Sequence, residues 1–319
     1  MTSLALIGAG RWGTNILRTL EGIGGAAVTV TREGDSLDPH APHLRGIRGV
    51  LIATPASTHA TIARPFIERG IPTFVEKPLT TSLRDARALE RAARRSGAQV
   101  FVGHVHLYNP AFVTAKKHAL RAGRIRLLVA EGMNNGPYRD DISALWDWAP
   151  HHLAMALDLI GHPPVAVQAW GVATLRARTP LHDFATLRLR FPRGEAFVGI
   201  TSWLSPEKRM RLTIVGTKDT VVFDDTAAQK VTVYRGLGPT VRRSRVTRQE
   251  PTVSHPPYSD APPLRRELEA FLGCIRTGRK PLSSLSQGVA TVRILDAAER
   301  SIARGGRWVL LTNPHPMWD

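Results

Sequence analysis

A glycine pattern near the start of the chain, Gly8-x-Gly10-x-x-Gly13, constrains the fold more than any other feature of the sequence. It follows the apolar run Leu4 to Ile7 and precedes Thr14 to Glu21, where apolar residues recur at helical spacing. Between a strand and a helix, such a turn lets a pyrophosphate approach the N-terminus of the helix closely. The pattern by itself also arises as a plain structural turn. In this context it predicts a dinucleotide site formed by Gly8, Gly10, Arg11, Trp12 and Gly13.

Strand and helix signals alternate over the first part of the chain, as a parallel sheet with crossover helices requires. Residues 31–48, between the second and third strands, leave little room for a full crossover helix, so this unit is expected to be abbreviated. Ser82 with Asp85 forms a helix-capping pattern, and Gly97 stands just past the end of the same helix. The predicted strands are Leu4 to Ile7, Ala26 to Val30, Gly49 to Ala53, Pro72 to Val75 and Gln99 to Val102, and the predicted helices are Thr14 to Glu21, Thr61 to Glu68 and Ser82 to Arg95.

The pattern changes after about Gly123, where strand signals follow one another without helices between them. Two helices, Leu153 to Ile160 and Leu264 to Arg276, are expected to cover one face of the resulting sheet. The last helix, Gly288 to Ala303, is compatible with packing on either domain, and Pro251 to Pro263 is a predicted loop. The predicted strands are Ile125 to Glu131, Val165 to Thr174, Phe184 to Phe191, Ala196 to Trp203, Arg211 to Val215, Thr220 to Phe223 and Lys230 to Tyr234.

The predicted fold has two domains, since 319 residues are too many for one ordinary domain. Residues 1–124 are expected to form an α/β domain with a Rossmann-type parallel sheet that binds the dinucleotide. Residues 125–319 are expected to form an α+β domain for substrate binding and oligomerisation, with a large, mostly antiparallel open sheet. Because an open sheet face must be covered, we predict a homodimer or homotetramer through it.

Composition favours a globular cytoplasmic protein. Hydrophobic residues make up 43% of the chain, and no apolar run is long enough to cross a bilayer. The N-terminus lacks the features of a secretory signal. A single cysteine, Cys274, lies in a helical pattern where a buried structural thiol is expected.

The net charge of +17 is compatible with a nucleic-acid partner or with an anionic small substrate. Most arginines are scattered over predicted helix faces, and the compact basic run is limited to Arg242, Arg243 and Arg245. This distribution disfavours nucleic acid and favours a small anionic substrate.

The end of the second predicted strand usually selects between the two nicotinamide dinucleotides, because an acidic residue there binds the ribose hydroxyls of NAD. This chain has Thr31 and Arg32 at that position. A hydroxyl and a guanidinium suit a 2′-phosphate better, so NADP is favoured over NAD. Alternatively, Arg32 stacks on adenine and admits either cofactor.

Four motifs in order resemble the Gfo/Idh/MocA oxidoreductase family over nearly the whole chain. They are Gly8-Ala9-Gly10-Arg11-Trp12-Gly13, Ala53-Thr54-Pro55 with Thr58-His59, Glu76-Lys77-Pro78, and Asp147-Trp148-Ala149-Pro150-His151. The turn Trp12-Gly13-x-Asn15 and the stretch from Trp146 to His151 are most similar to members that oxidise nucleotide-activated acetamido sugars.

The resemblance implies that Lys77 and His151 flank the nicotinamide, with Asp147 beside them. Hydride transfer from a secondary alcohol needs a base for the hydroxyl proton and a cation near the developing alkoxide. His151 is the expected base, and Lys77 orients the oxygen and shares the proton. If Asp147 caps the helix and Pro150 lies in its first turn, Asp147 can hold the tautomer of His151. Without the glycine turn, a solvated lysine and an ordinary cap would be the simpler interpretation.

The resemblance also assigns further site residues. Glu76 is expected to bind the nicotinamide ribose, and the Lys77–Pro78 bond corresponds to a cis position in the family. His104-x-His106 suggests a metal, but no carboxylate or cysteine cluster accompanies it, so no metal is predicted. His152 departs from the Asp usual in similar members. The remaining cofactor residues are Ala53, Thr54, Pro55 and His59, and the predicted substrate residues are Tyr108, Asn109, Asn135, Arg139 and His152.

The sequence thus favours an NAD(P)-dependent dehydrogenase or reductase acting on a secondary alcohol or ketone of a sugar, nucleotide sugar or cyclitol. One alternative is a regulatory or scaffold protein that binds the dinucleotide without catalysis. Another is a reductase of imines or other carbonyls on the same scaffold.

Overall fold

The computed structural model describes residues 1–31, 34–177, 179, 181–236, 240–242, 245–247 and 250–311. These residues form two compact units. The first consists of Met1–Tyr108 and Ala261–Arg293, and the second of Asn109–Asp260 and the described residues from Ile294 onward. The domain boundary between residues 124 and 125 stays a prediction. None of the described helices combines the length and the apolar character that a membrane span needs.

A five-stranded parallel sheet forms the centre of the first unit, with strand order β2-β1-β3-β4-β5. This confirms the predicted Rossmann-type parallel sheet. Strand β5 pairs with β4 so that Gly103 lies opposite Glu76. The elements are β1 (Thr2–Ile7), α1 (Arg11–Ile23), β2 (Ala26–Thr31), β3 (Gly49–Ile52), α2 (His59–Glu68), β4 (Thr73–Glu76), α3 (Leu83–Ser96) and β5 (Val100–Gly103).

Local signals behave as predicted in this unit. The hydroxyl of Ser82 accepts a hydrogen bond from the backbone N–H of Asp85 at 3.2 Å, and Gly97 ends α3 with a left-handed φ of 73°. Between β2 and β3, the described residues form one short 3-10 turn, Pro42–Leu44, in place of a crossover helix. The predicted abbreviation is therefore confirmed.

A nine-stranded sheet forms the centre of the second unit, with strand order β15-β12-β11-β10-β6-β9-β8-β7-β16. Strands β6 and β9 are parallel and the other neighbouring pairs are antiparallel, which confirms the predicted sheet type. Part of the predicted loop Pro251 to Pro263 is wrong, because β15 pairs with β12 there. In chain order the remaining elements are α4 (Pro110–Ala119), β6 (Ile125–Asn135), α5 (Ala144–Ile160), β7 (Ala166–Val172), β8 (Phe184–Arg190), β9 (Ala196–Ser202), β10 (Leu204–Gly216), β11 (Thr220–Asp224), β12 (Val231–Arg235), β13 (Thr240–Arg242), β14 (Arg245–Thr247), β15 (Thr252–Ser254), α6 (Pro263–Thr277), α7 (Leu285–Ala303) and β16 (Val309–Leu310).

Helix α5 begins at Ala144, well before the predicted Leu153 and about one turn before the helix that an Asp147 cap would start. Its N-cap is Ser143, whose backbone is extended, and the N–H of Asp147 donates to the carbonyl of Ser143 at 3.0 Å. Asp147 therefore lies inside the first turn and is not the cap, while Pro150 lies in the helix interior. The residues Ala144 to Trp146 are buried, so the helix gains apolar contacts by starting upstream of the predicted site.

Helix α6 packs in the first unit, which corrects the prediction that it covers the sheet of the second domain. Its buried face joins the core of the parallel sheet, where the Phe271 ring meets Phe74 and Phe101 at centroid distances of 5.6 and 5.7 Å. The amphipathic pattern of α6 identifies a buried face without specifying the sheet it meets. Cys274 is half-buried beside this cluster, and burial raises the pKa of its thiol.

Candidate active site

The three glycines of the opening motif have different structural reasons. Gly8 has a φ of +98°, and a Cβ there would lie 2.7 Å from the backbone of Ala53. A Cβ on Gly13 would lie 1.8 Å from the carbonyl oxygen of Gly8. A Cβ on Gly10, in contrast, would meet no described atom within 4 Å. Gly8 and Gly13 are thus required by the turn itself, and Gly10 leaves open space in front of the helix.

The N-terminus of α1 is suited to an anion. Gly10 is the N-cap, and none of the described side chains caps this end of the helix. The first-turn amides therefore point toward the space that Gly10 leaves open. Arg11 is exposed there, and Trp12 is 41% exposed. This cradle fits the pyrophosphate of a dinucleotide.

The carboxylate of Glu76 is fixed at the end of β4 by hydrogen bonds and fits beside a glycine of β5. Its Oε1 accepts a hydrogen bond of 2.5 Å from the indole Nε1 of Trp12, and its Oε2 accepts one of 3.1 Å from the backbone N of Lys77. A Cβ on Gly103 would lie 2.8 Å from Oε2, so this position of β5 must stay small. The first turn of α1 and the end of β4 are therefore held together through Glu76. Sequence reasoning missed Gly103, although its place at the end of a predicted strand was visible.

The turn after β4 carries Lys77, which is half-buried, and the Lys77–Pro78 peptide is cis as expected. Beneath it lies the buried ring of His59, whose Nδ1 is 2.8 Å from the carbonyl oxygen of Pro78. The Nε2 of the same ring is 3.0 Å from the carbonyl oxygen of Thr54. His59, predicted to contact the cofactor, is thus placed between two backbone turns.

The other predicted cofactor residues lie at the ends of β2 and β3. Thr31 is buried, and its hydroxyl donates to the carbonyl of Leu6 at 3.4 Å. Ala53 donates its N–H to the carbonyl of Ile7, Thr54 is half-buried and Pro55 is exposed. Arg32 lies outside the described residues.

Two buried titratable groups of the first unit were not assigned from the sequence. Burial first, and then the positive charge of Lys77, lower the pKa of His104 to about 3, so this ring is neutral. Burial first, and then the negative charge of Glu76, raise the pKa of Glu267 well above its ordinary value. Neither carboxyl oxygen of Glu267 has a hydrogen-bond partner among the described residues. Its spacing with Leu268, Phe271 and Leu272 was the available signal, because it places Glu267 on the apolar face of α6.

In the second unit, Asp147 contacts one residue from the segment before α5 and one that directly follows β9. Its Oδ1 is 3.3 Å from the Nε of Arg139, and its Oδ2 accepts a hydrogen bond of 3.2 Å from the indole Nε1 of Trp203. Asp147 and Trp203 are both buried. Arg139, predicted as a substrate contact, is therefore the ion-pair partner of Asp147. Trp203 follows β9 and carries no sequence motif, so it was missed.

The histidines of α5 differ in their surroundings. His151 is half-buried, and its ring lies edge-on to Trp148 with the centroids 6.4 Å apart. His152 is buried against β6, because a Cβ on Gly132 would lie 2.5 Å from its Cε1. This position gives no support to the predicted substrate contact of His152.

The remaining predicted substrate residues have structural partners. The Tyr108 hydroxyl is 3.1 Å from the Oγ of Ser283, and its ring stacks on Phe101. Asn109 is buried, caps α4 by accepting from the N–H of Ala111, and donates to Asp225 at 3.0 Å. Asn135 is exposed and accepts a hydrogen bond of 2.6 Å from the Tyr138 hydroxyl. Of these, Asn135 is the side chain that solvent reaches most freely.

The Gfo/Idh/MocA model described as an oxidoreductase family with an NAD-binding Rossmann fold matches residues 25–104. The model of the C-terminal alpha/beta domain of the same oxidoreductase family matches residues 140–311.

Three similar proteins illustrate the relationship. UDP-N-acetylglucosamine 3-dehydrogenase from Acidithiobacillus ferrooxidans is 30% identical over 266 residues, covering 80% of this chain and 78% of the relative. Inositol 2-dehydrogenase from Rhizobium meliloti is 25% identical over 298 residues, covering 89% and 86%. A crystal structure described as that of an oxidoreductase from Magnetospirillum magnetotacticum MS-1 is 34% identical with a TM-score of 0.79, covering 93% of this chain and 99% of that one. These matches confirm the predicted resemblance, the oxidoreductase class and a site for a nicotinamide dinucleotide.

Proposed function

Because the chain belongs to the Gfo/Idh/MocA oxidoreductase family, we propose that it transfers hydride between NAD(P) and a secondary alcohol or ketone of a sugar-like substrate. The observation that carries the proposal is the end of β4 in the first unit. There Glu76 is tied to the glycine turn through Trp12, and the next residue is Lys77. A hydrogen-bonded carboxylate and a lysine therefore lie side by side at the carboxyl end of a parallel strand, where such sheets hold ligands.

The residues proposed to hold the dinucleotide lie in the first unit. The open N-terminus of α1 suits the pyrophosphate, and the Glu76 carboxylate suits the hydroxyls of the nicotinamide ribose. When bound, the nicotinamide supplies the site that accepts or gives the hydride. Ala53, Thr54 and Pro55 are proposed to line the cofactor at the end of β3.

The proposed catalytic residues have different roles: one transfers the proton, and another stabilises the negative charge on the substrate oxygen. In the direction of oxidation, His151 takes the hydroxyl proton while the carbon gives up its hydride. Lys77 holds the substrate oxygen, stabilises its developing negative charge and shares the proton. Asp147 contacts Arg139 and Trp203, which fix the start of α5. We propose that Asp147 also holds the tautomer of His151. In reduction the same groups act in reverse.

A nucleotide-activated acetamido sugar is the proposed substrate class, with a free sugar or a cyclitol as the alternative. The stretch Trp146 to His151 resembles family members that act on such nucleotide sugars, and one relative described above carries that activity in its name. The net charge of +17 also suits an anionic substrate. Another relative is named inositol 2-dehydrogenase, which supports a cyclitol as the alternative substrate.

The substrate class is tested by measuring turnover of a panel of candidate substrates. Purified protein is mixed with NADP or NAD and with UDP-activated acetamido sugars, free aldoses or inositols, and the absorbance of the reduced nicotinamide is followed. Rapid reduction with the first group alone supports the proposal, and activity confined to inositols overturns the nucleotide-sugar assignment. Dinucleotide binding without turnover of sugars, imines or other carbonyls would instead indicate the non-catalytic alternative.

We propose NADP as the preferred cofactor on the basis of Thr31 and Arg32 in the sequence. Replacing Arg32 with Asp should weaken NADP binding by about tenfold or more, because one charge-assisted contact to the 2′-phosphate is lost and a repulsion replaces it. NAD binding should be unchanged or tighter. Titration of both reduced cofactors by fluorescence measures this, and equal losses for the two would refute the role of Arg32.

We also propose that copies of this chain associate through the sheet of the second unit. One face of that sheet carries exposed groups on the neighbouring strands β7 and β8, including Trp170 at 53% exposure and the alternating exposed residues Arg188 and Arg190. A large partly apolar sheet face of this kind is commonly covered by a second subunit. Light scattering at micromolar concentration should give a dimer or tetramer, and a monomeric mass would contradict it.

A further inference from the structure

The two buried histidines of the first unit have opposite hydrogen-bonding surroundings. His59 is 1% exposed and has a carbonyl oxygen within hydrogen-bond distance of each ring nitrogen, 2.8 Å at Nδ1 and 3.0 Å at Nε2. His104 is equally buried, and neither of its ring nitrogens has a hydrogen-bond partner among the described residues. Burial alone therefore does not explain why both ring nitrogens of His59 have hydrogen-bond partners.

The two carbonyls decide how many protons the ring of His59 carries. A backbone carbonyl oxygen can only accept a hydrogen bond, whereas a neutral imidazole has one N–H and one lone pair. In the neutral form, one nitrogen lone pair would face an oxygen lone pair at about 3 Å, which is repulsive and leaves a buried acceptor unsatisfied. With both nitrogens protonated, each carbonyl receives a charge-assisted hydrogen bond.

The two carbonyls belong to the turns that surround the proposed chemistry. Thr54 follows β3, and its hydroxyl accepts a hydrogen bond of 2.8 Å from the hydroxyl of Thr58. Pro78 directly follows Lys77, in the turn after β4. A ring that binds both carbonyls fixes the spacing between these turns, and with it the starting point of the Lys77 side chain.

We propose that His59 is a positioning residue for Lys77, acting as a doubly protonated ring that ties the Lys77–Pro78 turn to the Thr54 turn. The kinetic test of this role rests on the function proposed above, whereas the protonation state of His59 can be measured without it. In place of the cofactor contact predicted from the sequence, this role of His59 uses its contacts to the carbonyls of Pro78 and Thr54. No reaction step passes through its ring.

The protonation of His59 is tested directly by NMR of the full chain labelled with ¹⁵N-histidine near neutral pH. The signals of His59 are identified by their loss in His59→Gln. We expect two slowly exchanging ring N–H protons on His59 and at most one on His104. A single ring N–H on His59 would overturn the charged form, whether or not the enzyme's substrate is known.

The positioning role is tested by two variants with a matched control. His59→Phe keeps a ring and removes both donors, His59→Gln keeps one side-chain donor group, and His43→Gln changes an exposed histidine. Thermal melting first establishes that each variant folds. We expect His59→Phe to lower kcat by about tenfold to a hundredfold, more than it raises KM for the dinucleotide, with His59→Gln intermediate and His43→Gln unchanged.

The outcomes separate this inference from the proposed function. If wild type shows no turnover, the proposed function fails while the NMR experiment still decides the state of His59. If wild type turns over substrate and folded His59→Phe does so at the same rate, the positioning role is wrong. Should His59→Phe not fold, His59→Gln and the NMR signature carry the test.

Discussion

The end of β4 and the start of α5 both hold a buried carboxylate, and they differ in where its partners come from. Glu76 is bound by Trp12, which belongs to the glycine motif, and by the backbone of its own neighbour Lys77. Asp147 is bound by Arg139 and Trp203, which no motif marks. The first arrangement follows from strand register and a short turn. The second depends on how helix, loop and sheet of the second unit pack.

The two carboxylates are therefore positioned in different ways, one by the backbone and the other by side chains. In the first unit, the backbone dictates the position of the carboxylate, because Gly103 lies opposite Glu76 in the parallel ladder and leaves room for it. In the second unit, side chains dictate it, and each of them has to be supplied by a separate segment.

Replacing Gly13 with Ala should destabilise the first unit by about 3 kcal/mol or more, because a Cβ there would overlap the carbonyl of Gly8. The matched control is Gly22→Ala in the same helix, whose Cβ would meet no described atom within 4 Å. That control should be neutral or stabilise by up to about 1 kcal/mol. Urea unfolding measures both, and equal stabilities would show that the backbone does not dictate the turn.

Replacing Asp147 with Ala should destabilise the second unit by about 2 kcal/mol. The change leaves the buried indole N–H of Trp203 without its acceptor and removes the ion-pair partner of Arg139, whose side chain is 40% exposed and therefore partly screened. Asp147→Asn keeps an acceptor for Trp203 and should lose less than half as much. If both variants match wild type in urea unfolding, the side-chain network does not hold this region.

Replacing Gly10 with Ala should leave stability within about 1 kcal/mol of wild type, since the position has an allowed φ of −66° and open space around it. It should still weaken dinucleotide binding by about tenfold, because the added methyl occupies the space in front of the helix amides. Fluorescence titration with the reduced cofactor tests this. Unchanged affinity at unchanged stability would place the pyrophosphate elsewhere.

Replacing Glu267 with Gln should give a small, pH-dependent gain in stability. The pKa of Glu267 is raised above its ordinary value of 4.5 by burial and by Glu76, so below that pH the group is protonated in both the folded and unfolded states. As the pH rises above 4.5, the unfolded chain ionises first, and the free energy of unfolding of wild type falls until the folded-state pKa is reached.

Glu267→Gln lacks this loss, so the two proteins should have similar pH dependence below that window and diverge through it. Melting temperatures from pH 4 to pH 8 measure the divergence. Parallel curves across the whole range would mean that Glu267 is already ionised at low pH in the folded protein, against the buried and donor-free site described here.

The sequence predicted those parts of the fold that depend on local backbone signals. Ser82 and Gly97 marked α3 correctly, and the alternation of strands and helices gave the parallel sheet. Helix α6 was assigned to the wrong sheet, because its apolar stripe fits any apolar surface of suitable shape. Helix α5 was started too late, since Pro150 suggested a first turn while burial of the preceding residues favoured an earlier start.

The candidate site was predictable to the same extent. Glu76 and Lys77 lie at a strand end next to the glycine turn, as their motif implied. The bond from Trp203 to Asp147, the contact of His59 with the Pro78 carbonyl and the packing of His152 against Gly132 join residues that are not sequence neighbours. No spacing rule on a single sequence contains that information.

Lys77 is the residue proposed to hold the reacting oxygen, and one measurement tests this role most directly. Single-turnover hydride transfer is compared between wild type and Lys77→Met, with dinucleotide affinity measured in parallel by fluorescence. We predict a rate lower by about a hundredfold to ten-thousandfold in Lys77→Met, with cofactor affinity changed by no more than about threefold. Hydride transfer at the wild-type rate in folded, cofactor-bound Lys77→Met would contradict the account.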